Sequence, residues 1–194
     1  MYVCRKGGHS INLQIVCDNK LRILDCNARF GGTAHNASVW RSSALKVLLE
    51  NMYSNGERNF WLLGDSGYPP LLLETPFLMT PILSQTTGAE DNYNRAHKKA
   101  RNCVERCFGV LKSRFRCLSA ERILMYDPIT AGKLINACVI LHNILIMNRV
   151  PYDDQILILN LDNRDESNYN DSDGNNAIPQ GILATRKIVN DYFQ

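Results

Sequence analysis

At 194 residues the chain is one domain of ordinary size, long enough to bury a real core, and 45% hydrophobic against 21% charged residues excludes a disordered or fibrous chain. The net charge of +3 is mild but unevenly spread. Eight Lys or Arg stand against Glu105 between Asn92 and Cys117, and seven acids stand against Arg164 between Pro151 and Asn175, so a basic stretch precedes an acidic tail.

The start, MYVCRKGGHSINLQ, has no apolar stretch after its charges, so no secretory signal is expected. No apolar run is expected to reach the roughly 20 residues that span a bilayer. Seven cysteines without framework spacing fit reduced thiols. These features predict a soluble intracellular protein with no membrane partner.

In chain order, Ile11, Leu13 and Ile15 alternate, and Leu21 to Cys26 resumes the extended pattern after Asp18-Asn19-Lys20, which predicts an antiparallel hairpin. After Gly31-Gly32, Thr33 is the expected cap of one helix carrying Val39, Trp40, Leu45, Leu48 and Leu49, stopped by Ser54-Asn55-Gly56. Phe60–Gly64 predicts a short central strand, covered on both faces, that runs into Asp65. The stretch 69–90 holds four of the seven prolines and predicts loop with a short helix. Residues 92–115 predict the best helix in the chain, with a stripe of Val104, Phe108, Leu111 and Phe115 widened by Ala100, Cys103 and Cys107. Asp127-Pro128 should cap a second long helix through Met147. Residues 160–180 read as a disordered acidic linker, and Gly181–Phe193 as an amphipathic segment. The order is that of an α/β or α+β fold over 1–150, with a tail over 151–194.

Asp65 sits where an apolar strand ends between two glycines, and a carboxylate there needs a hydrogen bond, a cation or a metal to offset desolvation. Glu105 is the one acid on the basic helix, at the rim of its apolar stripe beside Gly109. Two converging carboxylates would make a hard-oxygen site for Mg²⁺ or Mn²⁺. Spacing alone also allows Asp65 to cap the Ser66-Gly67 turn and Glu105 to pair with Arg101. Cys103 and Cys107, one helical turn apart, and the scattered Cys4, Cys17, Cys26, Cys117 and Cys138 read as buried thiols rather than a zinc site. His142 in VILHNIL reads as a satisfied core histidine, while His9 and His35 lie near the presumed site. The basic residues, interleaved with Tyr93, Phe108 and Phe115, read as a phosphate-contacting surface. The DNA-contact candidates are Lys98, Lys99, Arg101, Arg106, Lys112 and Arg114.

Five blocks in order, YVCRKGGHSINLQIVCD, FGGTAHNASVW, LLGDSGYP, NRAHKKARNCVERCFGVLKSRFRCL and NACVILHNIL, resemble the PIF/Harbinger transposase family, including the Harbinger transposase-derived nucleases. The resemblance runs from about Tyr2 to Met147. It implies a ribonuclease-H-like fold, a mixed sheet flanked by helices, whose acids bind two divalent metals that cut DNA. By position Asp65 matches a metal-binding aspartate and Glu105 the closing glutamate. The family's first catalytic Asp lies in a block upstream of the segment where this chain starts, so the resemblance implies that the first strand and its acid are missing. Asn36 stands where the family usually has Asp, a neutral ligand in place of a charged one, so affinity for Mg²⁺ or Mn²⁺ is expected to be weak or lost. Asp18 and Asp25 lie on the neighbouring strands as substitutes.

Two functions follow from this reading. One is a transposase-derived, metal-dependent DNA endonuclease domain, catalytically incomplete in this chain; the other is a non-catalytic DNA- or protein-binding remnant, with an incomplete gene model as a third account. The resemblance implies a nuclear location, or a cytoplasmic one pending partner-mediated import, and a separate Myb-like partner that shares target recognition. The exposed edge of the Tyr2–Asp18 strand implies poor solubility or a homodimer.

Overall fold

The structure, a computed structural model, describes residues 2, 9–68, 75–83, 87–119, 125–152 and 180–193. The linker read over 160–180, Cys4 and parts of the 69–90 stretch lie outside the described residues. The elements are β1 (Ile11–Cys17), β2 (Ile23–Gly31), α1 (Asn36–Arg41), α2 (Ala44–Ser54), β3 (Leu62–Leu63), β4 (Leu78–Met79), α3 (Gly88–Arg114), α4 (Pro128–Met147) and α5 (Gln180–Tyr192). They pack as two compact units, Met1–Ala34 with Asn102–Tyr169, and His35–Arg101 with Asn170–Gln194. Among the described residues the strands form two two-stranded sheets, β1-β2 and β3-β4, where one mixed sheet was expected.

The first unit is built on the hairpin. β1 and β2 run antiparallel, with Ile11 opposite Gly31 and Cys17 opposite Ile23. At the turn, Leu21 takes a left-handed backbone (φ 64) although its side chain is only 2% exposed. A non-glycine residue pays for that conformation, so neighbouring groups must hold it. Asp18 does so locally: its carbonyl accepts from Leu21 N at 3.0 Å, and its Oδ1 accepts from Lys20 N and Arg22 N, both at 2.9 Å.

The second hold comes from α4. Asp127 caps this helix by accepting from Ile129 N and Thr130 N, with Pro128 at its start, as the sequence predicts. His142 Nε2 faces the Leu21 carbonyl at 2.8 Å, and that acceptor makes Nε2 the protonated nitrogen. Asn143 clamps the next residue but one: its Oδ1 accepts from Ile23 N and its Nδ2 donates to Ile23 O, each at 2.8 Å. The His142-Asn143 pair therefore fixes the turn and the first residue of β2. The reading of His142 as a satisfied core histidine holds for Nε2 but not for Nδ1, which is buried without a partner.

Around these clamps Ile15, Leu21, Ile23, Ala28, Cys107, Val110, Leu111, Ile135, Cys138 and Val139 form the core. The expected stripe on α3 is rotated: Cys107, Val110 and Leu111 are fully buried, while Val104, Phe108 and Phe115 pack at the margin. The spacing favoured the large phenylalanines, whereas the core takes the smaller side chains that let the helix approach. The six described cysteines are free, as expected, but Cys117 is exposed rather than buried. A hydrogen bond that Cys17 donates to Cys107, and then burial, push the Cys17 thiol up, which keeps it protonated. α4 also corrects the membrane reading: by length and composition it could cross a bilayer. Its Ile135, Cys138 and Val139 pack into this core, while Ile129, Ile140, Leu141, Ile144 and Met147 are exposed.

In the second unit the single helix expected after Gly32 is two. Ser42 Oγ donates to the carbonyls of Ser38 and Val39, and Ser43 caps α2 by accepting from Leu45 N, so two serines end one helix and start the next. Thr33 does not cap; the residue before α1 is His35, whose side chain makes no cap bond. β3 pairs in parallel with β4, Leu62 against Leu78 and Leu63 against Met79. The expected double-sided cover is absent among the described residues, for Trp61 is 47% and Leu63 41% exposed. Phe77, Leu78, Trp40, Ala37 and Leu49 make one cluster, and Met79, Tyr93 and Val189 another.

α3 begins four residues earlier than expected because Thr87-Gly88-Ala89-Glu90 is a capping box. Thr87 Oγ1 accepts from Glu90 N at 3.2 Å, and Glu90 Oε2 accepts from Thr87 N at 3.1 Å. Asn94 repeats the clamp of Asn143, accepting from Ile82 N at 2.9 Å and donating to Ile82 O at 2.8 Å.

Two predictions follow from this packing. Asn143→Ala leaves both backbone groups of Ile23 without their partner and should cost about 2–4 kcal/mol in urea unfolding. Asn143→Asp keeps the acceptor and should lose less; equal losses would show that the double clamp is not the cause. Burial lowers the pKa of His97 and His142 below the ordinary imidazole value. Unfolded imidazoles take up protons near about pH 6.5 while the folded ones resist. The resulting stability is complete above that pH and is lost as pH falls through it toward the folded values. The melting temperature should drop between about pH 7.5 and about pH 5, and His142→Gln should flatten that slope.

Candidate functional site

The turn after β3 explains both of its glycines. Gly64 N donates to Met79 O at 2.8 Å, the last ladder bond before the chain leaves the sheet. A Cβ on Gly64 would stand 3.0 Å from Tyr68 Cδ2 and 3.3 Å from Leu78 Cδ1, so a larger residue would press on the Tyr68 ring at the strand end. Asp65 then folds back, its Oδ1 accepting from Gly67 N at 2.9 Å. A Cβ on Gly67 would meet that same Oδ1 at 3.0 Å and Asn36 Nδ2 at 3.2 Å. Gly67 therefore marks the corner where the Asp65 carboxylate and the Asn36 amide meet.

A third group faces this carboxylate. Arg101 Nη2 lies 3.9 Å from Asp65 Oδ2, with the two side chains 24% and 37% exposed. At that separation and exposure the pair is loose, worth about 0–1 kcal/mol. Asp65 is thus offset by a backbone N–H and a guanidinium.

One turn before Arg101 sits His97, which the sequence reading passed over. It is buried, its Nε2 lies 3.2 Å from Met79 O, and its ring leans on Tyr93 with centroids 5.8 Å apart. Burial lowers its pKa first, and Arg101 lowers it further against the opposing pull of Asp65. Met79 O thus joins Gly64 N and His97, which fixes α3 against the strand that carries Asp65. His97 positions Arg101; the only available signal was a histidine within the helical AHKKAR.

The remaining candidates scatter. Asn36 and Asp65 belong to the second unit and come together there. Glu105 is half-buried on the part of α3 that belongs to the first unit. Asp18 serves the hairpin turn and pairs with Arg22 at 3.3 Å. His9 and His35 are exposed. Among the described residues no group of three or more His, Cys, Asp or Glu side chains is placed to hold a metal ion. The basic residues divide as well. Lys98 and Lys99 are exposed in the second unit, and Lys112, in the first, is exposed with its Nζ 5.9 Å from the Phe108 ring. Arg106 and Arg114 are drawn into packing with Tyr152: Arg106 Nη2 donates to its hydroxyl at 3.5 Å, and Arg114 lies 5.3 Å from its ring while donating to Val150 O at 2.6 Å.

A strand-end aspartate held by a glycine turn, an amide beside it and a guanidinium of α3 facing it make up this corner. The sequence pattern of the DDE superfamily endonucleases matches residues 1–143, and the chain belongs to that family. A human protein named "Putative nuclease HARBI1" is 38% identical over 144 residues, which cover 74% of this chain and 39% of that protein. Its Xenopus laevis counterpart is 34% identical over 149 residues, 76% of this chain and 41% of that one. "Protein ALP1-like" of Arabidopsis thaliana is 31% identical over 160 residues, 76% of this chain and 38% of that one. The chain thus spans about two fifths of the length of these relatives. The resemblance to Harbinger-derived nucleases is borne out. No solved structure matches.

Gly67→Ala should force the Asp65 and Asn36 side chains apart, at a cost of about 1–3 kcal/mol. Thermal unfolding measures it, and an unchanged melting temperature would mean that the corner yields freely.

Proposed function

We propose that this chain is a DNA-binding domain derived from a DDE endonuclease, in which Asp65, with Asn36, is what is left of a divalent-metal site, Glu105 being the further acid that the family resemblance assigns to it. The observation that carries this reading is the Gly64–Gly67 turn, which sets a partly exposed carboxylate at a strand end beside Asn36 in a chain of an endonuclease family. A bound Mg²⁺ or Mn²⁺ would supply the Lewis acid that activates water against a phosphodiester. The described corner offers one carboxylate and one neutral amide, fewer hard oxygens than such an ion takes, with a guanidinium already nearby. The residues therefore do not fit a complete metal centre, and cleavage by this chain is expected to be weak or absent.

The Arg101–Asp65 approach favours the second reading, a non-catalytic remnant, because the guanidinium supplies the positive charge that a metal would. In either reading the phosphate-contact candidates are Lys98, Lys99 and Arg101 in the second unit and Lys112, with Arg106 and Arg114, in the first. A nuclear role beside a Myb-like partner accords with the free thiols and the basic surface.

Calorimetry with Mn²⁺ separates the readings. Binding weaker than micromolar in the unaltered chain, lost in Asp65→Ala, would establish the residual site. Arg101→Gln should then tighten it by at most about fivefold, the value of a loose pair. Binding that survives Asp65→Ala would remove Asp65 from the site, and no binding in any variant would leave the remnant.

A further inference from the structure

The family match ends at residue 143, yet the second unit carries one more helix. α5 (Gln180–Tyr192) is anchored by Val189, which is buried with Met79 and Tyr93, and by the buried Thr185, whose hydroxyl bonds the Tyr93 phenol. Tyr93 itself donates to Thr80 O at 2.9 Å and meets the Phe193 ring edge-on at 5.7 Å. The far end of α5 is thereby fixed alongside the first turns of α3. Between them lies an open groove of about 380 Å³, lined by Asn92, Arg95, Ala96 and Lys99 of α3 and by Tyr192 and Phe193.

The two walls differ in chemistry. Asn92, Arg95, Ala96 and Lys99 recur at i, i+3, i+4 and i+7, so they share one face of the helix, with small Ala96 at its centre. Lys99 has no partner among the described residues. Arg95 is held by Asp91 at 2.6 Å, but both side chains are well exposed, and such a pair exchanges readily for a phosphate. Opposite them Phe193 is pinned by Tyr93, whereas Tyr192 is 78% exposed. An aromatic ring left bare beside two cations suits a ligand with a flat π-face and a negative charge.

We infer that this groove is a stacking subsite for an unpaired nucleotide of single-stranded DNA: Tyr192 stacks on the base while Lys99 and Arg95 hold the flanking phosphates. A paired base cannot offer its face, so the site selects single strands, and every base has a face, so it does so without sequence preference. An acidic peptide would satisfy the two cations but would leave the Tyr192 ring unused. The inference rests on the reading of the chain as a DNA-binding domain and adds to it a strand type and a place.

The test is fluorescence anisotropy of the full chain with a labelled oligo-dT and with a duplex of equal length. Stacking on one aromatic side chain is worth about 1–3 kcal/mol, so Tyr192→Ala should weaken oligo-dT binding about 5- to 150-fold. Tyr192→Phe should preserve it, and duplex affinity should stay within about twofold. Lys99→Ala should lower the salt slope for oligo-dT by about 0.7. Because Tyr192 is 78% exposed, its loss is not expected to unfold the chain, and the duplex arm verifies this. Undiminished oligo-dT binding by Tyr192→Ala overturns the inference, as does an equal loss for duplex and single strand. Displacement of oligo-dT by polyglutamate with no dependence on Tyr192 overturns it in favour of a general anion surface. Tyr192-dependent oligo-dT binding without any duplex binding sustains it while removing the duplex-facing role of the basic residues.

Discussion

The first unit depends on one side-chain amide. Asn143 satisfies the N–H and C=O of Ile23 together, and His142 beside it reaches the Leu21 carbonyl. Without these bonds the left-handed Leu21 would have no partner on α4, and the start of β2 would have two buried polar groups to satisfy in another way. With them, Leu21 buries its side chain although its backbone is strained, and Ile23 enters the core in register. A helix as apolar as α4 could slide along a sheet, because hydrophobic contact has no direction. The amide removes that freedom, since a double hydrogen bond fits at one position only.

The second unit uses the same device, with Asn94 clamping Ile82. In both cases an asparagine on a long helix recognises the backbone of a single residue in a strand or loop. This accounts for the HN of VILHNIL and the YN of DNYNRA in physical terms, and for polar residues on helix faces that otherwise bury apolar ones. His97 extends the pattern by sharing the Met79 carbonyl with Gly64. The strand that carries Asp65 is therefore tied to α3 through backbone groups, and its position does not rest on apolar contact alone.

Much of this was legible in the residues. The hairpin, the Asp127-Pro128 start of α4, the amphipathic end of the chain and the strand running into Asp65 each follow from a local rule, alternation, capping or an apolar run, and local rules are written in neighbouring residues. The early start of α3 is legible too, since TTGAE contains a capping box, although the prolines before it argue for loop. The break at Ser42-Ser43 was not, because serine within a helical pattern is only weakly disfavoured until its hydroxyl finds a carbonyl. The pairing of β3 with β4 could not be read at all: two residues against two carry no period. Nor could the partner of Asp65, because Arg101 lies 36 residues away in the chain and no local rule links them.

The question the sequence poses at LLGDSGYP is what offsets a carboxylate at a strand end. The backbone N–H of Gly67 and the guanidinium of Arg101 answer it without a metal. That answer is compatible with descent from a metal enzyme, for a corner shaped by two glycines to hold an acid stays in place when its other ligands change. The amide of Asn36 suits this corner, for it can bond to the carboxylate, whereas a carboxylate there would repel it unless a cation stood between them. A neutral residue at 36 and a cation at 101 each lower the demand for a metal, and together they describe a site whose charge is balanced within the protein. Lys98 and Lys99 stay exposed on the helix that carries Arg101, so the charge left open beside the corner is positive.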